Sequence, residues 1–130
     1  MQYPEDLPFG QVVEDAYLYL GNPARPAEAR RAPRFAEVAG LASSPAWTAR
    51  QEAARLLGLP TYDDARAVPV LAALCCDQVP VVAQTAGTSL VRRGTQQSLA
   101  EARRAASDSP APGVRREIEK ALLRWRREVL

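Results

Sequence analysis

Apolar residues recur at helical spacing in three stretches of the chain that align without gaps. Each stretch is ten residues long, and the three begin 33 and 32 residues apart, at Ala49, Val82 and Val114. Their first, fifth and ninth positions are apolar: Ala49, Ala53 and Leu57; Val82, Ala86 and Leu90; Val114, Ile118 and Leu122. This spacing places the apolar residues on one stripe of a helix. A fixed period near this length is typical of stacked repeats, so each helix is predicted to bury its stripe against the next copy.

A second, shorter apolar stripe precedes each of these helices. The three stripes are Phe35, Val38 and Leu41; Val68, Leu71 and Leu74; and Leu99, Ala102 and Ala105. No segment shows the sustained alternation of β-branched or aromatic residues that is typical of strands. The pattern predicts an all-α fold of six helices in three antiparallel pairs. The pairs are about 34–43 with 46–58, 64–76 with 80–93, and 95–107 with 113–127.

Residues 1–33 do not fit the repeat. The segment contains one more amphipathic pattern, formed by Phe9, Val12, Val13, Ala16 and Leu20, followed by a proline-punctuated connector. Because the first pair of a stack needs its outer side covered, we expect residues 1–33 to cap the array with one helix. The alternative is that this segment is an arm that docks a partner.

Three glycines have predicted structural roles. Gly58 and Gly94 follow the last apolar positions of their helices, where a left-handed residue often ends a helix. Gly87 lies inside a predicted helix, where the lack of a side chain permits close approach of a neighbouring helix.

Composition fits a single globular domain and excludes several other classes. The 130 residues are 47% hydrophobic and 25% charged, with a net charge of +2. No apolar run is long enough to span a membrane, and the start of the chain does not resemble a signal peptide, so we expect no membrane association and a cytoplasmic location. Sixteen of the 17 basic residues are Arg, which is typical of a GC-rich, bacterial genome. Residues 91–130 carry ten basic and five acidic side chains, so the positive charge is concentrated towards the C-terminus.

The sequence offers little catalytic chemistry. It has no histidine, which removes the commonest general base and metal ligand. Cys75 and Cys76 are adjacent and are interpreted as small packed residues, the alternative being a reactive or metal-binding pair. Asp63 and Asp64 are interpreted as helix-start residues, the alternative being an acid/base pair. No catalytic residue, metal or cofactor is therefore expected.

The loops and second helices of the pairs carry a resemblance to a known family. Asp77 and Asp108 follow a first helix, with Ser44 at the matching place, and the second helices begin with a Val-Arg-x-x-Ala type pattern. Arg50 and Arg115 occupy the arginine position, and Ala83 departs from it. Over about residues 34–127 the chain resembles HEAT repeats. The resemblance implies a short right-handed α-α superhelix whose second helices line its concave surface.

One row of polar residues lies opposite the buried stripe. The third, seventh and eleventh positions of the aligned helices contain five cations and no acid: Gln51, Arg55 and Leu59; Gln84, Thr88 and Arg92; Arg116, Lys120 and Arg124. At about 100° per residue these positions point away from the core. We interpret them as a partner-binding face, with Arg55, Gln84, Arg92, Arg116, Lys120 and Arg124 as the candidate contacts. The alternative is an ordinary solvated face of an arginine-rich protein.

The function predicted from these features is a non-enzymatic HEAT-repeat scaffold that binds a protein with an acidic surface. The alternative is a protein that binds the nucleic-acid backbone with the same cations. HEAT-like arrays also include subunits of phycobilin lyases and DNA glycosylases for alkylated bases. Such an enzyme is the least favoured hypothesis, because its chemistry requires an acid in an aromatic-walled cleft and neither Trp47 nor Trp125 has a carboxylate beside it on the same helical face.

Overall fold

A computed structural model describes residues 32–129 of the chain, and this part is entirely helical, without strands. This confirms the predicted all-α fold. Residues 1–31, with the predicted capping helix, lie outside the described residues. The six helices are α1 (Phe35–Ala42), α2 (Trp47–Leu56), α3 (Asp64–Leu74), α4 (Pro80–Arg93), α5 (Gln96–Asp108) and α6 (Pro112–Val129).

Helix contacts connect only neighbours along the array. Helix α1 packs on α2, α3 on α4, and α5 on α6. The second helices also pack in succession, α2 on α4 and α4 on α6, whereas α1 and α2 make no contact with α5 or α6. Stability in such a stack comes from each unit and its nearest neighbours. The antiparallel pairing and the right-handed superhelical course stay predictions.

The apolar stripes form the core as expected. Of the nine aligned apolar positions, only Leu122 is partly exposed, and the other eight are buried. Leu90 of the central helix is completely inaccessible. Each second helix buries one apolar stripe, so the repeat in the sequence corresponds to a repeat of buried helices in the structure.

The three glycines differ in their roles. Gly94 ends α4 with φ of 66°, a left-handed conformation that glycine adopts without strain, as predicted. The same prediction for Gly58 is wrong, because Gly94 is the only glycine with positive φ among residues 32–129. A Cβ at Gly58 would instead lie 3.0 Å from Cζ of Arg92. Gly58 therefore leaves space for an arginine side chain from α4.

Gly87 confirms the predicted close approach between helices. A Cβ added to Gly87 would lie 2.6 Å from Cγ1 of Ile118 and closer still to its Cδ1 atom. Both residues are buried, and they bring α4 and α6 into direct contact. The glycine thus sets the distance between two neighbouring second helices.

An ion pair joins the first helix pair to the second. Nε and Nη2 of Arg50 donate to the two carboxylate oxygens of Asp77 at 2.7 and 3.1 Å. Nη1 of Arg50 donates to the carbonyl of Ser44 at 2.9 Å. Asp77 also accepts a hydrogen bond from the N–H of Val79, next to the start of α4. The hydrogen bond from Arg50 lowers the pKa of Asp77 below its usual value.

This link does not recur between the second and third pairs. Arg115, which matches Arg50, donates to the carbonyl of Ser109 six residues earlier, as Arg50 does to Ser44. In the third pair the place of Asp77 is taken by Ser109, which accepts a hydrogen bond from the N–H two residues later, as Asp77 does. The arginine position of the second pair is the buried Ala83. Neither partner of the ion pair is therefore present between the second and third pairs.

A second arginine closes the turn between α2 and α3. The side chain of Arg93 is only 5% exposed and pairs with Asp64 at 2.9 Å. Its Nη1 atom donates to the carbonyls of Leu57 and Leu59 at 2.8 Å, and Nη2 donates to the carbonyl of Tyr62. The last residue of α4 therefore satisfies carbonyl groups that the end of α2 leaves open.

Replacing Gly87 with Ala tests the close approach of α4 and α6. Although Ala is favoured over Gly by about 1 kcal/mol in a helix, we expect Gly87→Ala to lower the free energy of unfolding by about 1 to 3 kcal/mol through overpacking against Ile118. Gly40→Ala is the control, because a Cβ at Gly40 in α1 meets nothing within 4 Å, and it should stabilise. Equilibrium urea unfolding measures both variants. A Gly87→Ala protein as stable as Gly40→Ala would contradict the packing.

The ion pair between Arg50 and Asp77 predicts a specific loss of stability in acid. The pKa of Asp77 is lower in the folded than in the unfolded chain, so the pair stabilises the fold above the ordinary pKa of about 3.9 and is lost as the pH falls below it. At about pH 7, Asp77→Asn should cost about 1 to 3 kcal/mol. Near pH 3 the difference between the variant and the parent should be smaller than at pH 7, because the contribution of the pair declines once the pH falls below the ordinary pKa.

The matched control is Asp108→Asn. It removes a carboxylate of the third pair, at the end of α5, that forms no salt bridge with any described residue, so its effect should stay within about 0.5 kcal/mol at both pH values. Urea titrations of the three proteins at each pH give the comparison. Equal losses for the two variants would show that the pairing with Arg50 contributes nothing particular.

Candidate protein-binding face

The candidate contacts lie on three adjacent helices. We use the term second-helix face for the aligned positions opposite the buried stripe, which lie on α2, α4 and α6 except for Leu59, just beyond the end of α2. Four of them are exposed, namely Arg92, Arg116, Lys120 and Arg124. The others are partly buried, namely Gln51, Arg55, Leu59, Gln84 and Thr88. Since α4 packs on both α2 and α6, these residues belong to neighbouring helices.

The face is most continuous near the C-terminal ends of the helices. Nη2 of Arg92 donates to the main-chain carbonyl of Arg55 at 3.0 Å, which joins α4 to α2. Arg92 and Arg124 both line one groove between α4 and α6. Three arginines from three successive second helices therefore lie next to one another. Closer to the helix starts, Nε2 of Gln51 donates to Oγ1 of Thr85 at 3.4 Å.

Arg92 is held in place by the protein. Besides the carbonyl of Arg55, its Nη2 atom contacts Oγ of Ser89 at 3.2 Å. The guanidinium lies over Gly58, where a side chain would displace it. Burial of the guanidinium, together with the charge of Arg55, lowers the pKa of Arg92. Helical spacing points Arg92 away from the core, but its long side chain reaches across to α2 and contacts it.

Two of the five cations have acidic neighbours. Arg55 pairs with Glu52, and Lys120 pairs with Glu117 at 3.2 Å, each one helical turn away. The row contains no acid itself, but adjacent positions supply these two. Such pairs at the surface contribute little energy and do not fix the side chains strongly. Among residues 32–129, no salt bridge is formed by Arg116 or Arg124, so these two present the most available charge.

The groove between α4 and α6 has a volume of about 300 Å³. Its walls combine apolar, cationic and acidic groups: Thr88, Val91, Arg92, Ala121, Arg124, Trp125 and Glu128. Glu128 was not predicted from the sequence. The expectation that neither Trp has a carboxylate beside it on the same helical face is wrong for Trp125, because Glu128 lines the same groove. The spacing of three residues between Trp125 and Glu128 was the signal for it.

Two further grooves lie between first helices. One between α3 and α5, of about 120 Å³, is lined in part by Cys75 and Cys76. Cys75 is buried, and burial raises the pKa of its thiol to about 12, whereas Cys76 is exposed. The other, of about 510 Å³, lies between α1 and α3 and is lined largely by small and apolar residues.

Within the part of the chain that the structure describes, no three His, Cys, Asp or Glu side chains come together as a metal site would require. No helix between residues 32 and 129 combines the length and the apolar character that are needed to cross a membrane.

A protein-family model for HEAT repeats matches residues 38–123. The chain therefore belongs to the HEAT-repeat family. Proteins of this family generally act as scaffolds for protein interactions and are typically not catalytic. Searches among curated proteins and among solved structures found no significant match.

The burial of Cys75 predicts unequal reactivity of the two thiols. Because a pKa of about 12 leaves almost no thiolate at neutral pH, a thiol reagent should label Cys76 alone in the native protein and both cysteines after denaturation. Mass spectrometry of the labelled chain measures this. The Cys76→Ser variant should show no rapid native labelling, and rapid reaction of that variant would contradict the burial of Cys75.

Proposed function

We propose that this protein is a non-enzymatic HEAT-repeat scaffold whose second-helix face binds an acidic surface of another protein. The observation that carries the proposal is the contiguity of Arg55, Arg92 and Arg124, which come from three successive helices. Charges brought together in this way add over one surface and attract an acidic partner during encounter.

The distribution of free and fixed cations supports this function. Arg92 is held by backbone and hydroxyl contacts, so it loses little side-chain entropy when a partner binds. Arg116 and Arg124 are exposed without a salt bridge to any described residue, and a partner's carboxylates can pair with them. An interface of this kind combines one preorganised cation with two adaptable ones.

The groove with Trp125 and Glu128 does not change the preference for a non-enzymatic function. Glu128 is exposed, whereas a carboxylate that transfers protons is typically tuned by burial or by a close charged neighbour. Among residues 32–129, Trp125 is the only aromatic residue that lines this groove. Binding, rather than bond cleavage, is the chemistry that these residues support best.

Charge reversal on the face tests the proposal. We expect Arg116→Glu combined with Arg124→Glu to weaken the binding of a fluorescein-labelled polyglutamate peptide by roughly tenfold or more, since each surface charge pair contributes up to about 1 kcal/mol and reversal adds repulsion. Fluorescence anisotropy measures the affinity. Thermal unfolding should stay close to that of the parent, because both side chains are exposed.

The control carries the same change of charge elsewhere. Arg103→Glu combined with Arg104→Glu places it on exposed positions of α5, a first helix, and should leave the affinity within about twofold of the parent. Equal weakening by both double variants would show that net charge, and not this face, governs binding. Tighter binding of a DNA duplex, with a steep dependence on salt concentration, would instead favour the nucleic-acid alternative.

A further inference from the structure

The groove between α4 and α6 has an apolar floor and a cationic rim. Val91 and Ala121 are buried and Trp125 is partly buried, and these three supply the apolar surface. Arg92 from α4 and Arg124 from α6 line the same groove. A site of this composition provides two different interactions within the reach of a single short peptide.

Arg92 has donors left for a ligand. Its Nη2 atom is used by the carbonyl of Arg55 and the hydroxyl of Ser89. Its Nε and Nη1 atoms form no hydrogen bond with any of the described residues. Because contact with α2 fixes one edge of the guanidinium, the remaining donors are presented in a defined orientation. Fixed guanidinium donors favour a planar carboxylate.

We propose that this groove binds a short peptide motif in which an acidic residue lies next to a large apolar residue. The carboxylate pairs with Arg92 and Arg124, and the apolar side chain packs against Trp125. The inference rests on the proposed function and adds to it the sequence that the partner presents. A volume of about 300 Å³ suits one or two side chains of such a motif.

The acidic member of the groove favours a peptide over a nucleic acid. Glu128 lines the groove together with the two arginines. Its charge repels successive phosphates, whereas a peptide supplies backbone N–H groups that can donate to it. One indole offers a surface for a single apolar group rather than a platform for consecutive bases.

Three labelled peptides that differ at one position each test the motif. They contain Glu-Leu, Gln-Leu or Glu-Ser in an otherwise identical neutral sequence, and anisotropy gives their affinities for the full chain. We expect the Glu-Leu peptide to bind about tenfold more tightly than either of the others, because each of the two contacts contributes about one factor of ten. Equal affinities of the Glu-Leu and Glu-Ser peptides would overturn the proposal.

Two matched variants separate the groove from the rest of the face. Arg124→Gln removes one of the two cations that bind the carboxylate, so it should reduce the preference for Glu-Leu over Gln-Leu severalfold. Arg116→Gln removes an exposed cation of α6 that lies outside the groove, and it should keep that preference. An intact preference in Arg124→Gln would show that the peptide binds elsewhere.

The indole supplies an independent readout. Trp47 is 45% exposed, so Trp47→Phe should leave a folded protein in which Trp125 is the only tryptophan. The Glu-Leu peptide should shift its emission, and the Glu-Ser peptide should not. No shift with a bound Glu-Leu peptide would overturn the contact with Trp125. If polyglutamate also fails to bind, the proposed function itself fails, whereas binding of polyglutamate without selectivity among the three peptides overturns only the motif.

Discussion

The guanidinium of Arg93 is the interaction on which the central part of the array depends. It takes a positive charge out of water and compensates it with three backbone carbonyls and the carboxylate of Asp64. A buried charge with these partners is stable, and removal of one partner leaves an uncompensated charge. Lysine could not replace it, because an ammonium lacks the planar fork that reaches several acceptors at once. The turn after α2 is therefore specified by a residue of α4.

The neighbouring residue, Arg92, belongs to the candidate binding face. Arg92 and Arg93 are consecutive at the end of α4 and both contact the C-terminal end of α2 or the turn that follows it. One arginine fixes the turn and the other presents its remaining donors to the groove. Gly94 then reverses the chain in a left-handed conformation. The next residue, Thr95, lowers the pKa of Asp64 by a hydrogen bond, and the hydrogen bond from Arg93 lowers it further. Structure and candidate site thus share a few adjacent positions.

The sequence was most informative where a residue acts through its position on one helix. The buried stripes and the close contact at Gly87 follow from helical spacing alone, and both were predicted. The course of a long side chain does not follow from spacing, so the contact of Arg92 with α2 was not predicted. For the same reason Gly58 was predicted to be left-handed, whereas it leaves space for the guanidinium of Arg92. Glu128 was not predicted because it lies one helical turn beyond Arg124, the last of the aligned positions. Its distance of three residues from Trp125 would have been enough to find it.

The two interfaces of the array respond to different properties of the solution. The interface between the first and second pairs contains the Arg50–Asp77 ion pair, whereas no salt bridge joins the third pair to the second among residues 32–129. That interface contains the close apolar packing of Gly87 against Ile118. Acid and salt weaken the first kind of contact, while cooling weakens the second. With Ala83 and Ser109 in place of the two ion-pair partners, a protein built from similar units has two unlike joints, of which one carries an additional sensitivity to protons.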